Sequence, residues 1–316
     1  MPDTPYRLLL DRDDPQRYIE NNFAAQLELL VDLVNYGTNL IVRCYQSSGR
    51  RLEDAIVLFA LTKHAFSMLD AYEVLFRNGA TYAARLQTRS LLDVSLSIDW
   101  ILKDETERRS RAYYVATLRD RRSWCRRLIP GTPEHAQYAS CMQAAGRVKM
   151  NVSQQRLDEY QRQAQEIDAM LATNDFREMN EEAERLRQKK NFEPSWHSIV
   201  GVRSVREIAK GVDRLDEYEV FYRVTSEVAH GSDYENHVRF EGNRVSVEPI
   251  RGLCNQDSSL LSYTIGLALR VIRTVIHRYR PGEVENLSRR YVSEWQGAYM
   301  SVPELRCEAS IVHIEP

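Results

Sequence analysis

The chain has 316 residues, of which 43% are hydrophobic and 28% are charged, and its formal net charge is -2. This length suits one large domain or two small ones, and the composition excludes a disordered chain. Because the net charge is so close to zero, a protein-wide attraction to nucleic acid or membranes is excluded. Any such attraction must come from local patches of charge.

The N-terminus and the cysteines predict the cellular location of the protein. A run of three leucines at Leu8 to Leu10 is followed at once by charged residues, so it is too short for the core of a signal peptide. No segment approaches the roughly 20 apolar residues that span a bilayer. The five cysteines are scattered without CxxC spacing, which favours reduced thiols over disulfides or zinc ligands. We expect a cytoplasmic protein with no membrane contact and no cofactor.

The first 129 residues are predicted to form helices of a bundle. Apolar residues recur at helical spacing over residues 16–47 and again over residues 52–77. Gly79 supplies the left-handed stop expected beyond a helix end, and a further helix is predicted over residues 81–103. Since the connection at Gly79 is short, the two helices that it joins are expected to pack antiparallel.

An arginine-rich helix is predicted over residues 105–130, where eight arginines face three acidic residues. Tyrosines and a tryptophan alternate with these arginines, a mixture that binds phosphates and stacks on unpaired bases. A solvated helix face paired with the acidic residues of the segment 151–190 explains the pattern equally well. The arginines predicted to bind a nucleic-acid substrate are Arg119, Arg122 and Arg126.

A polar insertion is predicted over residues 130–192. Within it, the apolar positions of residues 151–190 form a narrow stripe of coiled-coil type, too thin for a core helix. This pattern predicts a projecting helical hairpin or an oligomer contact, which could also dock a partner protein.

The remaining residues, 193–316, are predicted to complete the helical bundle. Two shorter helices are expected over residues 197–210 and 215–230, and a small β-hairpin over residues 238–247. The helix predicted over residues 256–279 is apolar all round, which indicates a central, buried position. The fold class is therefore all-α, a helical bundle with a projecting polar insertion and a small appended β-hairpin.

The helix predicted over residues 215–230 carries the residues best suited to chemistry. Arg223, Ser226 and His230 stand at i, i+3 and i+7, so they project from one face. Histidine exchanges a proton near neutral pH, and arginine offers a fixed fork of donors to phosphate oxygens. The alternative is a structural histidine and a surface ion pair between Arg223 and a neighbouring glutamate.

A second group of polar residues follows Gly79. Arg85, Arg89 and Asp93 are spaced by four and line one helix face, where the two arginines could receive an anion. The alternative is structural ion pairing along the helix. Metal binding is not expected, because no histidine belongs to an HxxxH or HxH pair and no acidic cluster has ligand spacing.

Residues 196–232 and 83–93 resemble a family of bacterial helical proteins of unknown function. The shared motifs are an Arg-Ser-Leu-Leu-acid helix, a Trp-led helix, and a helix with the pattern Y-x-x-x-Y-x-x-x-S-x-x-x-H-G. That last pattern comprises Tyr218, Tyr222, Ser226, His230 and Gly231.

This family is in turn similar to the HEPN superfamily of four-helix bundles. Its ribonuclease members carry an arginine that is followed, after four to six residues, by a histidine. In this chain six residues separate Arg223 from His230. The position directly after the arginine is usually polar in those proteins, and in this chain it is Val224. The resemblance implies a metal-independent ribonuclease, often a homodimer with a composite site, and often a toxin or an anti-phage defence protein. The alternative is a catalytically inert module that binds RNA, a nucleotide or a partner protein.

Overall fold

The computed structural model describes residues 9–146, 152–230, 237–241, 244–305 and 312–314. The chain divides into two compact units. The first unit combines residues 1–104 with residues 208–316, and the second comprises residues 105–207. The second unit therefore contains the predicted insertion together with the arginine-rich helix that precedes it.

The N-terminal part of the first unit is a series of long helices. They are α1 (Asp13–Asn22), α2 (Ala24–Ser47), α3 (Leu52–Ala55), a π-helical segment (Ile56–Thr62), α4 (Lys63–Arg77) and α5 (Thr81–Lys103). Gly79 has φ +73° between α4 and α5, which confirms the left-handed stop predicted there. The single helix predicted over residues 16–47 was wrong at Phe23. This residue turns inward to pack edge-on against Phe76 and separates α1 from α2.

The second unit contains a small helical core of its own. Its helices are α6 (Thr106–Leu128), α7 (Pro133–Ala144), α8 (Gln154–Leu171), α9 (Asn174–Lys190) and α10 (Trp196–Ile199). Val115 and Leu118 of α6 pack with Ile167 and Leu171 of α8 and with Met179 of α9. The expectation that this stripe is too thin for a core helix was therefore wrong, because α6 covers the apolar residues of α8 and α9.

The chain then continues with α11 (Val205–Gly211). The prediction of one continuous helix over residues 197–210 was wrong, because two separate helices occupy this range. Gly201 has φ +87° and interrupts the chain between α10 and α11.

The C-terminal part of the first unit contains the predicted helix over residues 215–230. It consists of α12 (Leu215–Glu217), a π-helical segment (Tyr218–Tyr222) and α13 (Arg223–His230). The later helices are α14 (Asp257–Tyr279), a 3₁₀ turn (Pro281–Glu283), α15 (Val284–Arg290), a π-helical segment (Tyr291–Trp295) and α16 (Gln296–Met300).

Short strands accompany these helices in the residues predicted to form a hairpin. Strands β1 (Val238–Glu241) and β2 (Arg244–Val247) pair antiparallel, with Val238 opposite Val247. A third strand, β3 (Val312–Ile314), pairs antiparallel with β2. Elsewhere in the described residues the regular structure is helical, so the fold belongs to the all-α class.

The core of the first unit surrounds α14, which packs against α5 and α2. By length and composition alone α14 could cross a membrane, but more than half of its apolar stretch is buried inside the unit. A buried helix of this kind is compatible with a soluble protein. Within the core the hydroxyls of Thr88 on α5 and Thr264 on α14 share a hydrogen bond of 2.8 Å, so these two buried hydroxyls are satisfied.

Candidate functional site

A polar site lies where α13 and the π-helical segment before it pack against α5. Arg89 of α5 donates a hydrogen bond of 2.6 Å from Nη2 to the hydroxyl of Tyr222. The guanidinium carbon of Arg89 also lies 4.1 Å from the centre of the Tyr222 ring. Since the ring of Tyr218 stacks on Tyr222 with centroids 4.3 Å apart, Arg89 fastens the whole tyrosine pair to α5.

Asp93 stands one helical turn beyond Arg89, and its Oδ2 is 3.8 Å from the Nε of Arg89. Burial raises the pKa of Asp93 to about 6, although the positive charge of Arg89 opposes this shift. Burial also raises the pKa of Tyr222, and the negative charge of Asp93 adds to that effect. Asp93 can therefore change its protonation state within about one pH unit of neutrality.

Two polar atoms of this site are withdrawn from solvent without a partner among the described residues. They are Nη1 of Arg89 and Oδ1 of Asp93. A buried donor or acceptor without a partner costs about 1–3 kcal/mol, and such groups concentrate at functional positions. The site therefore combines a fixed cation, a phenol and a carboxyl group with capacity for further hydrogen bonds.

Arg85 does not belong to this site, although the sequence places it on the same helix face. Its Nη2 lies 3.2 Å from Oδ1 of Asp257 and 2.7 Å from the sulfur of Cys254, and its side chain is buried. The prediction that Arg85 binds substrate was wrong for this reason, because the guanidinium is enclosed between α5 and the start of α14. Its ion pair runs to α14 and not along α5, so it also differs from the pairing along the helix that was the structural alternative.

Arg223 projects into solvent, with 83% of its side chain exposed. Its Nε is 3.5 Å from Oε1 of Glu227, one turn further along α13. Such an exposed pair is worth about 0–1 kcal/mol, so an anion of higher charge can displace it. Ser226 lies on α13 and is half-buried, and His230 is the last residue of α13, with a side chain outside the described residues.

The predicted substrate arginines of α6 are engaged within the second unit. Arg119 is only 2% exposed and donates hydrogen bonds to Asn180, Glu184 and Glu193, which occupy all three of its nitrogen atoms. Arg122 and Arg126 both donate to the carboxylate of Asp168. The prediction that Arg119 binds a nucleic acid was wrong, because its guanidinium is itself buried and is held by the carboxylates of Glu184 and Glu193.

A further buried network, absent from the sequence predictions, lies at the start of the helix that carries the site. Arg214 donates two hydrogen bonds, of 2.8 and 2.7 Å, to the two carboxylate oxygens of Glu217. Its Nη1 donates to Ser95 and Asp99 of α5, each at 2.8 Å. Burial works to raise the pKa of Glu217, but the hydrogen bonds and charge of Arg214 outweigh it and hold that pKa below its ordinary value.

Together these features define a helical protein with a polar arginine–tyrosine–carboxyl site between two packed helices. Residues 55–244 match the model of a family described as a family of unknown function, DUF5677. The match covers more than half of the chain, so the protein belongs to that family. No curated protein and no solved structure matches the chain. Within the described ranges, no three His, Cys, Asp or Glu side chains are grouped so that they could hold a metal ion.

Proposed function

We propose that this protein is a metal-independent endoribonuclease of the HEPN type that cuts RNA with Arg223 and His230. The observation that supports the proposal is the 83% exposure of the Arg223 side chain on a helix that continues to His230. Seven residues are nearly two helical turns, so the two positions share one face of that helix. A phosphodiester in solution can therefore reach the guanidinium.

The reaction that this pair supports is an internal transfer at phosphorus. His230 accepts the proton of the 2′-hydroxyl, whose oxygen attacks the adjacent phosphorus atom. The bond between phosphorus and the 5′-oxygen then breaks, that oxygen takes a proton from solvent, and His230 returns the proton it accepted to solvent. The products are a 2′,3′-cyclic phosphate and a 5′-hydroxyl. Arg223 stabilises the charge that develops on the phosphoryl oxygens, and Ser226 orients the imidazole.

Arg89 takes part in this proposal as a positioning residue. Its hydrogen bond to Tyr222 and its contact with the tyrosine ring hold the residue that directly precedes Arg223. Asp93 lies one turn further along α5, and its Oδ2 is 3.8 Å from the Nε of Arg89. A shift of a catalytic group by about 1 Å can cost two orders of magnitude in rate, so this contact affects catalysis without touching RNA.

The test is cleavage of a defined RNA by the purified protein in the presence of EDTA. We expect cleavage with a 2′,3′-cyclic phosphate end, and a loss of about 100-fold or more in His230→Ala and in Arg223→Ala. An RNA with a 2′-deoxy substitution at the cut position should stay intact. The matched control is Arg17→Ala, since Arg17 is also an exposed helix arginine in a weak pair with an acid, Asp14.

Cleavage that is absent, or that continues unchanged in His230→Ala, contradicts the proposal. Binding of the RNA without cleavage favours the second reading, a catalytically inert module that recognises RNA or a partner protein. The ion pair between Arg223 and Glu227 is the observation that supports this second reading.

A further inference from the structure

A groove of about 1270 Å³ lies in the first unit between α14, the end of α5 and the C-terminal helices. It shares no residue with the site around Arg89, Arg223 and His230. One wall is the polar face of α14, and the other is formed by α15, the following π-helical segment and α16. The volume exceeds the roughly 300–1,000 Å³ of a small-molecule pocket, so the groove suits a segment of a larger molecule.

The α14 wall carries an excess of positive charge. Arg270, Arg273 and His277 follow one another at helical spacing, and Arg278 stands beside them. Arg273 and Arg278 are exposed and have no carboxylate within ion-pair distance in the part of the chain that the structure describes. Arg270 lies 3.3 Å from Glu217, which Arg214 already neutralises.

Among the described residues that line the groove, no carboxylate is free to balance these cations. The acidic residue in its lining is Asp99, whose two oxygens accept hydrogen bonds from Arg214 and Thr274. Lys103 donates to the backbone oxygen of Gly211 at 2.7 Å and lies 3.4 Å from the exposed carboxylate of Asp213. The occupant of the groove must therefore carry negative charge along the side that faces α14.

The opposite wall carries exposed and half-buried aliphatic side chains on α15 and the π-helical segment after it. Val292 is 65% exposed there, and Leu287 and Val284 are half-buried beside it. An exposed aliphatic side chain next to a row of arginines matches a ligand with an apolar face and an acidic edge. An amphipathic helix has this arrangement, with its apolar residues at i, i+3, i+4 and i+7.

Nucleic acid fits the groove less well than a peptide does. Single-stranded nucleic acid binds on aromatic rings with a free face, on which bases stack. Trp295 in the groove is buried, with the edge of Tyr36 and the guanidinium of Arg290 against its ring. Tyr291 and Tyr299 are also in the lining, and both are half-buried, the latter with its hydroxyl against Gly266.

We propose that this groove binds an acidic, amphipathic helical segment of a partner protein. Arg273 and Arg278 bind the carboxylates of the segment, and Val292 with Leu287 packs against its apolar residues. The exposed part of α14 between Arg270 and Arg278 is about 12 Å long, so it contacts about two turns of such a helix. This interaction is independent of the proposed nuclease activity.

Fluorescence anisotropy with the full chain tests the proposal. The probe is a labelled peptide of about 16 residues, with leucine at i, i+3, i+4 and i+7 and glutamate elsewhere. The comparison probes are its lysine-for-glutamate counterpart, a peptide of the same composition with leucines on all faces, and a single-stranded RNA. We expect the acidic amphipathic peptide to bind at least about tenfold more tightly than the other three probes.

Two variants assign this binding to the groove. Arg273→Glu combined with Arg278→Glu should weaken binding of the acidic peptide by about tenfold or more. Val292→Glu alone should weaken it to a similar extent. Arg17→Glu, an exposed charge reversal elsewhere, should leave the affinity unchanged. All three groove positions are exposed, and thermal melts check that the variants remain folded. The proposal is overturned by tighter binding of RNA, by equal binding of the three peptides, by affinity that the groove variants do not change, or by no peptide binding at millimolar concentration.

Discussion

Replacing Arg214 by methionine should destabilise the first unit by about 3 kcal/mol. Arg214 is only 2% exposed and connects the helix over residues 215–230 to α5 through Ser95 and Asp99. Methionine keeps much of the volume of the side chain but removes its charge and its hydrogen bonds. The side chains of Asp99 and Glu217, each 15% exposed, then remain without their main cation.

The size of this effect follows from the partners that stay in place. Breaking a buried ion pair from one side costs about 3–5 kcal/mol. Glu217 retains the hydroxyl of Tyr263 at 2.9 Å and the guanidinium of Arg270 at 3.3 Å, and Asp99 retains Thr274 at 2.9 Å. We therefore expect the lower end of that range, which for a unit of roughly 200 residues lowers Tm by about 6–12 °C.

Denaturant unfolding followed by hydrogen–deuterium exchange measures this loss in each unit separately. Peptides of α5 and α14 should lose protection at lower denaturant, while peptides of α8 and α9 should not change. Because the substitution removes the hydrogen bonds and charge that hold the pKa of Glu217 below its ordinary value, the deficit should shrink as the pH falls below about 4.5. Arg17→Met, an exposed substitution, should stay within about 0.5 kcal/mol of the original protein. A loss below about 1 kcal/mol, or the same loss in both units, would refute the structural role assigned to Arg214.

Two further predictions concern packing and pH. Gly37→Ala should destabilise the protein by about 1–3 kcal/mol despite the better helix propensity of alanine, because a Cβ atom at Gly37 would overlap the ring of Phe66. Gly297→Ala is the control for denaturant unfolding, since a Cβ atom at Gly297 meets nothing within 4 Å, and a stable Gly37 variant would contradict the packing. Burial raises the pKa of Asp93 to about 6, so the folded state binds more protons than the unfolded state between about pH 4 and pH 6. Stability should fall as the pH rises through that window, and Asp93→Asn should abolish this part of the pH dependence; an unchanged profile would show that Asp93 has an ordinary pKa.

Helix boundaries were predictable where a local signal determines them. Gly79 has the positive φ that its position after a helical pattern predicts. The apolar face of α14 lies in the core as predicted, but Arg270, Arg273 and Arg278 are exposed, so this helix is not apolar all round. Phe23 gave no such signal, since its inward turn depends on Phe76, which is more than 50 residues away in the sequence. The apolar period continued through Phe23 and therefore predicted one helix where the structure has two.

Polar residues were harder to assign, because spacing does not reveal which partner an arginine meets. Arg85, Arg89 and Asp93 are equally spaced, yet Arg85 turns to Asp257 and Arg89 to Tyr222. Both partners lie more than 100 residues further along the chain. The tyrosine pair was visible as part of a motif, but its contact with Arg89 required the packing of α13 on α5. Arg119 likewise has the sequence context of a phosphate-binding arginine, and only the packing of the second unit brings Glu184 and Glu193 to it.

The contacts along α5 show the direction in which the helix over residues 215–230 packs on it. Arg214 meets Asp99, Tyr222 meets Arg89, and the ring of His237 lies 3.0 Å from the hydroxyl of Tyr82, so the chain runs antiparallel to α5.

The α5 residues closest to the end of α13 therefore precede Arg89, where Arg85 is enclosed in the core. Arg89 itself is bound to Tyr222, while Arg223 projects into solvent. Within the described residues α5 thus supplies no second free cation for a phosphate held by Arg223. Under the proposed function we therefore predict that the complementary group comes from another copy of the chain, as the resemblance to the HEPN superfamily implies. Cleavage should then rise more steeply than linearly with protein concentration below the dissociation constant of the dimer.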